Sequence, residues 1–205
     1  MRVTPVVPIE LAAADAIGVL HHTQDVNIRS EVLFIGGRSG VGKSSAALEL
    51  HAQLAKGDIK HCVIEGDTLD LAYPAPWEHH LAERNLSAVW NNYRSLGYRR
   101  MIYTNTVSVR FTEQLAAAMG DEPRITAVLL TSTDETAHAR LRGRVQSDDL
   151  LEHINRSNAR SRELESLTPS WVHRIATDGR SVKDIASELH ALIAWPAGPE
   201  TSDHS

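Results

Sequence analysis

The chain has 205 residues, 42% of them hydrophobic and 23% charged, with a formal net charge of -5. That length and apolar content suit one α/β domain with a full core and exclude a disordered chain. The acidic balance argues against a surface built wholly as a nucleic-acid platform, and the single cysteine, Cys62, excludes an internal disulfide and fits a reducing, cytoplasmic setting. In chain order, residues 1–29 come first. Pro5 and Pro8 break regular structure there, residues 9–20 carry a short amphipathic pattern, and the segment is expected as an N-terminal extension. Glu10 and Asp15 interrupt its apolar stretch, so it does not read as a signal peptide, and no run is long enough to span a bilayer. The continuous apolar run at 32–35 predicts a strand buried on both faces of a parallel sheet. Residues 44–54 are rich in Ala and Leu and predict a helix, with Gly57 just past its end. Further strands are expected at 62–64, 101–104, 126–130 and 172–176, and helices at 85–95, 109–119, 135–142, 148–164 and 182–193. Alternating strands and helices imply βαβ crossovers and a parallel sheet. The expected fold is a three-layer α/β domain over 30–196 with a five-stranded parallel sheet, followed by a flexible tail at 197–205.

The strongest chemical signal is Gly37-Arg38-Ser39-Gly40-Val41-Gly42-Lys43-Ser44, which fits the G-x-x-x-x-G-K-[ST] pattern between an apolar strand and a helix. Glycines let the backbone curl until successive N–H groups and the helix N-terminus form an anion cradle. Lys43 supplies a point charge at the β- and γ-phosphates of a nucleotide, and Ser44 a hydroxyl for Mg²⁺. Ser45, next on the helix, completes the expected nucleotide-binding set.

The second strand runs into Glu65-Gly66-Asp67. A carboxylate at the tip of a parallel strand reaches the crevice where ligands bind in open α/β sheets. Asp67 there suits a base or orienting group for a hydroxyl, or a holder of metal-bound water; it also suits a turn-capping residue. Gly66 reads as room for a ligand to approach the backbone. The P-loop followed by Gly-Asp at the second strand end resembles the shikimate, gluconate and adenylylsulfate kinases and chloramphenicol phosphotransferase, within the nucleoside-monophosphate-kinase-like group of P-loop folds. The resemblance spans about residues 31–195. It implies ATP and Mg²⁺, a small-molecule phosphate acceptor, and Asp67 beside that acceptor.

Arg140-Leu141-Arg142-Gly143-Arg144 follows the fourth strand and its helix. Arg140 and Arg144 are four apart and share a helix face, an arrangement that suits a polyphosphate. The run resembles the arginine-rich lid of adenylate kinases, here short and placed at about 143–160. By that resemblance Arg140 lies over the adenine and Arg144 reaches the phosphates. Ser147 is the expected cap of the returning helix, with Asp148 and Asp149 in its first turn. Arg156 and Arg160 follow one turn apart, either facing the phosphates or on a solvated face where Glu152 pairs with Arg156. After the fifth strand, Thr177-Asp178-Gly179-Arg180-Ser181-Val182 resembles the adenylate-kinase loop that backs the adenine, which places Asp178 and Gly179 at the base. An ordinary strand-to-helix turn fits it too.

The segment between Asp67 and Met101 is expected to bind the acceptor, with Asn91, Asn92 and Arg94 as polar candidates. Trp77, Trp90 and Tyr93 are read as pocket wall or core. His79-His80 does not read as a metal site, because neighbours on a helix point about 100° apart. No Walker-B aspartate follows the third strand, where Tyr103-Thr104-Asn105-Thr106 stands, so Mg²⁺ is expected on Ser44, waters and phosphates with help from Asp67. The chemistry expected is ATP-dependent phosphoryl transfer to a small-molecule hydroxyl or phosphate. Polynucleotide 5′-end phosphorylation and a nucleotide-dependent ATPase or switch acting on a protein partner remain the rival readings.

Overall fold

The computed structural model describes residues 29–143 and 150–196. The pattern at 9–20, the tail at 197–205, and Arg144, Ser147, Asp148 and Asp149 lie outside the described residues. The strands are β1 (Glu31–Gly36), β2 (Cys62–Glu65), β3 (Arg100–Thr104), β4 (Arg124–Thr131) and β5 (His173–Ala176). The helices are α1 (Lys43–Lys56), α2 (Leu81–Ser95), α3 (Thr112–Met119), α4 (Asp134–Arg142), α5 (Leu150–Leu167) and α6 (Val182–Ile193).

The strands pair in the order β2-β3-β1-β4-β5, every pair parallel. β1 is central, and Val32 through Gly36 are all buried. Successive side chains of a strand leave opposite faces. Leu33 and Ile35 enter a core with Leu50 of α1, Leu189 of α6 and Trp195. Val32 and Phe34 enter a second core with Trp90 of α2, Leu115 of α3 and Leu164 of α5. Handedness explains the division. The step from β1 to β2 runs one way along the sheet, and the later steps run the other way. Right-handed crossovers therefore put α1 on one face and the connections through α2, α3, α4 and α5 on the opposite one. The result is a three-layer α/β fold.

Two helix starts differ from the sequence pattern. α2 begins at Leu81, four residues earlier than its apolar periodicity indicates. The segment read as the start of α3 instead forms a separate 3-10 turn, Ser108–Arg110. Val109 is fully buried in that turn, and a Cβ placed on Gly36 would lie 2.8 Å from its methyl groups. Packing of Val109 against the end of β1 thus overrides continuous helix. Among the described residues, no helix is long and apolar enough to cross a membrane.

Candidate active site

Because all five strands are parallel, the loops leaving their carboxyl ends share one edge of the sheet. The P-loop leaves β1 there and opens α1, whose first turn presents N–H groups with no acceptor inside the helix. Gly40 shows why the loop needs glycine. Its φ is +86°, and a Cβ would lie 2.8 Å from the carbonyl oxygen of Ala137 in α4. Any side chain would be strained and would push the loop off α4. Lys43 Nζ donates to Gly37 O at 2.8 Å, which folds the side chain back over the loop. Ser44 is half-buried in the first turn of α1. Val41 is 1% exposed and packs into the core, so what it can offer a ligand is backbone.

Arg38 occupies a place that the motif alone did not indicate. Its side chain is 2% exposed and turned into the helices. Nε donates to Ser157 Oγ at 2.9 Å, and the guanidinium also binds Asp134 of α4 and Asn158 of α5. Ser157 in turn donates to Ser39 O at 3.0 Å. Arg38 thereby fastens the P-loop to the two helices that frame it. The hydrogen bond from Arg38 holds the Asp134 carboxyl below the usual carboxylate range. That contribution to stability is complete at neutral pH and is lost as the pH falls through the lowered value. Arg38→Met keeps bulk and removes these charged hydrogen bonds. It should cost about 2 kcal/mol, a fall of about 4–8 °C in Tm for a chain of this size. An unchanged melting curve would show that Arg38 does not hold the helices.

Asp67 stands in the 3-10 turn Gly66–Thr68 that follows β2, with its carboxylate exposed. Asn105, one residue past β3, donates through Nδ2 to Asp67 Oδ1 at 2.7 Å. Asn105 Oδ1 accepts from Val107 N at 2.8 Å, so the amide is itself held. These hydrogen bonds hold the turn, and Asp67 lines a cleft. Gly66 is not room for a ligand. A Cβ there would lie 2.2 Å from Tyr103 Oη, and the space is filled by the Tyr103 ring. That ring is 2% exposed and meets Phe34 edge-on with centroids 5.6 Å apart. Gly66→Ala should therefore displace either Tyr103 or the Asp67 turn. The expected cost is about 1–3 kcal/mol, read as a lower Tm together with slower turnover. Retention of both wild-type values would mean that Tyr103 yields freely.

Ser39, Asp67, Asn105, Arg156 and Arg160 line one cavity of about 760 Å³ between the P-loop, the tips of β2 and β3, and α5. Arg156 lies 3.6 Å from Glu152, the i,i+4 pair visible in the sequence, and Arg160 pairs with Glu163. Both arginines thus combine a cleft position with surface ion pairs. Arg140 of α4 is held by hydrogen bonds through both terminal nitrogens. It donates to Thr177 Oγ1 and O at 3.0 Å and to Val41 O at 3.1 Å, joining the P-loop to the β5–α6 loop. With Gly42, Ser45, Arg180 and Val182 it lines a smaller cavity of about 200 Å³. Asp178 accepts from Thr133 N at 3.0 Å and from Thr133 Oγ1 at 2.8 Å. Hydrogen bonds from the Thr136 side chain and from Thr133 hold its carboxyl below the usual range. Asp178 thus ties the β5–α6 loop to the start of α4, and Gly179 follows at φ +65° with open space where a Cβ would stand.

The acceptor candidates on α2 are not in this cleft. Arg94 lies 3.2 Å from Asp121, and Trp90 Nε1 donates to the same carboxylate at 3.3 Å. Trp90 is fully buried and Tyr93 packs on Tyr98. α2 runs antiparallel to the strands, so its last turns, with Asn91 and Asn92, reach the opposite edge of the sheet. Sequence reasoning also gave no role to Tyr103, Ser157, Asn158 or Thr177. Nothing local marks them, because each acts through a partner more than 30 residues away. Among the described residues no group of three or more His, Cys, Asp or Glu side chains is placed to hold a metal.

Neither the protein-family models nor the curated proteins gave a match to this chain. Solved structures did. The tunicamycin resistance protein of Deinococcus radiodurans superposes with a TM-score of 0.57 at 22% identity, over 83% of this chain and 99% of that one. The APS kinase of Mycobacterium tuberculosis in complex with AMPPNP and APS gives 0.53 at 19%, over 81% and 98%. The gluconokinase of Sinorhizobium meliloti gives 0.55 at 16%, over 83% and 95%. The chain shares the fold of these structures, a five-stranded parallel sheet with the glycine-rich loop after its central strand.

Proposed function

We propose that this chain is an ATP-dependent kinase that transfers a phosphoryl group to a hydroxyl or phosphate of a small molecule. The observation that carries the reading is that the P-loop, through Ser39, and the carboxylate of Asp67 line one cavity of about 760 Å³. The cradle and Lys43 bind the triphosphate. The cavity beside Arg140, Arg180 and Val182 takes the base, against the flat guanidinium of Arg140. In the transfer, the bond between the γ-phosphorus and the β–γ bridging oxygen breaks and the acceptor oxygen bonds to phosphorus. Asp67 orients the acceptor hydroxyl and takes its proton, and ADP leaves. Arg156 and Arg160, on the α5 wall of the cavity, complement charge on the transferred group.

One hydroxyl from Ser44 and one carboxylate from Asp67 fit Mg²⁺, which keeps several waters and takes its other ligands from phosphates. Bound there, it would neutralise charge on the β- and γ-phosphates. The protein relatives named shikimate, gluconate and APS kinases support the reading as neighbours in fold. The test is a screen of alcohols, nucleosides, nucleotides, antibiotics and sugar acids with γ-labelled ATP and Mg²⁺. Label on one class of acceptor is the expected result. Steady hydrolysis that no acceptor in the screen stimulates would overturn it in favour of an ATPase.

A further inference from the structure

Next to the Asp67 cleft is a second cavity of about 220 Å³, between the turn after β2, the start of α2 and the segment after β3. Asn105 and Val107 line both cavities, so the second opens beside the carboxylate that faces the acceptor. Its volume accommodates a six-membered ring with a substituent. Phe111, Leu115, Leu81 and Val107 make an apolar wall, and Phe111 is 41% exposed. Asp70 and Glu83 supply the charge, both half-buried, and no Lys or Arg lines the cavity. Two basic side chains stand nearby, Arg110 outside the cavity and His80 on its rim beside Glu83. Arg110 lies over the Phe111 ring at 5.4 Å and pairs with Glu163. His80 Nδ1 is 3.9 Å from Glu83, on a side chain 81% exposed.

A further lining residue points to a ligand independently of the acidic pair. Tyr103 is 2% exposed, yet its phenol oxygen makes no hydrogen bond to any described residue. The oxygen is not among the fully enclosed polar atoms that lack a partner, so it opens to the cavity that the ring lines, where a ligand or water completes it. Asp67, Asp70 and Glu83 all act electrostatically on this phenol, which burial keeps protonated. A neutral phenol oxygen beside two carboxylates and an aromatic wall is a set of acceptors for N–H donors of a cation. A carboxylate or phosphate placed there would meet like charge with no Lys or Arg in the lining to offset it.

We infer that the phosphate acceptor is an alcohol with an apolar body and a cationic amine, its hydroxyl at Asp67 and its ammonium among Asp70, Glu83 and the Tyr103 phenol. This rests on the kinase reading above and narrows its substrate class. It sets the chain apart from neighbours whose named substrates are anions, such as the shikimate kinase of Acinetobacter baumannii solved with shikimate.

Three probes of one length separate the possibilities: 4-(aminomethyl)benzyl alcohol, 4-methylbenzyl alcohol and 4-(hydroxymethyl)benzoate. Their dissociation constants are measured by calorimetry on the full chain with a non-hydrolysable ATP analogue and Mg²⁺, and ADP release is followed with ATP. The ammonium probe should bind about tenfold or more tighter than the neutral one, and the carboxylate weaker still. Asp70→Asn with Glu83→Gln should remove that order, while a melting curve checks that the double variant is folded. Equal or tighter binding of the carboxylate, an ammonium preference that survives in the folded double variant, or no binding of any probe at millimolar concentration would each overturn the inference. The two readings fail separately. Binding in the expected order without any phosphorylated product would leave the cation subsite standing and refute the kinase. Phosphorylation of the carboxylate alone would do the reverse.

Discussion

Asp67→Asn is expected to lower kcat by about 10²–10⁴-fold, the range for loss of a positioned general base. The swap keeps shape and removes charge and basicity. Asn105 donates to Asp67 Oδ1 at 2.7 Å, and an asparagine oxygen at that position still accepts that bond, so the turn after β2 should stay in place. Affinity for the nucleotide should change by only about a few-fold, because the anion cradle is backbone and Lys43. The alternatives for this residue leave different traces. If Asp67 works chiefly through Mg²⁺, the loss accompanies weaker metal-dependent ATP binding and eases at high Mg²⁺. If it only caps the turn, the variant keeps its activity and melts lower by the equivalent of about 1 kcal/mol. Titrating ATP with and without Mg²⁺ beside the transfer assay separates the three, and full activity would discard the catalytic role.

Lys43→Ala is expected to remove phosphoryl transfer by about 10²-fold or more, as for other groups that stabilise charge in a transition state. The Lys43 ammonium donates to Gly37 O at 2.8 Å, so it already lies over the loop proposed to receive the phosphates. Replacing it leaves α1 intact, since alanine favours helix. The variant should therefore keep its melting temperature within about 1 kcal/mol of stability while losing turnover. Wild-type turnover in a folded Lys43→Ala protein would sink the assignment of this loop to ATP. The contrast with Arg38→Met is instructive. Arg38 is five residues earlier in the same motif, yet its side chain is 2% exposed and bound to α4 and α5. Its loss should appear first in stability, and that of Lys43 in chemistry.

The sequence by itself determined the sheet, the P-loop and the tip carboxylate. Each is a local signal. A continuous apolar run at β1 is what burial on both faces demands, and G-x-x-x-x-G-K-[ST] needs only adjacent residues to make its cradle. Gly-Asp after β2 could be placed at the crevice because every parallel strand ends on one side. The helix read at 182–193 has those bounds in the structure, where the Ser181 hydroxyl accepts from Asp184 N at 3.1 Å and caps it. The tertiary structure alone decided which side chains do the holding. Arg38 and Ser157 lie 119 positions apart, and Arg140 and Val41 lie 99 apart, so no window of sequence shows that they meet. It also decided that Gly66 makes way for Tyr103 rather than for a ligand, because a glycine's neighbour across the sheet is set by strand order. For the same reason Arg94, although within the segment expected to bind the acceptor, ends at the far edge on Asp121. Local chemistry fixes what a residue can do; the direction in which the crossover carries its helix fixes where it does it.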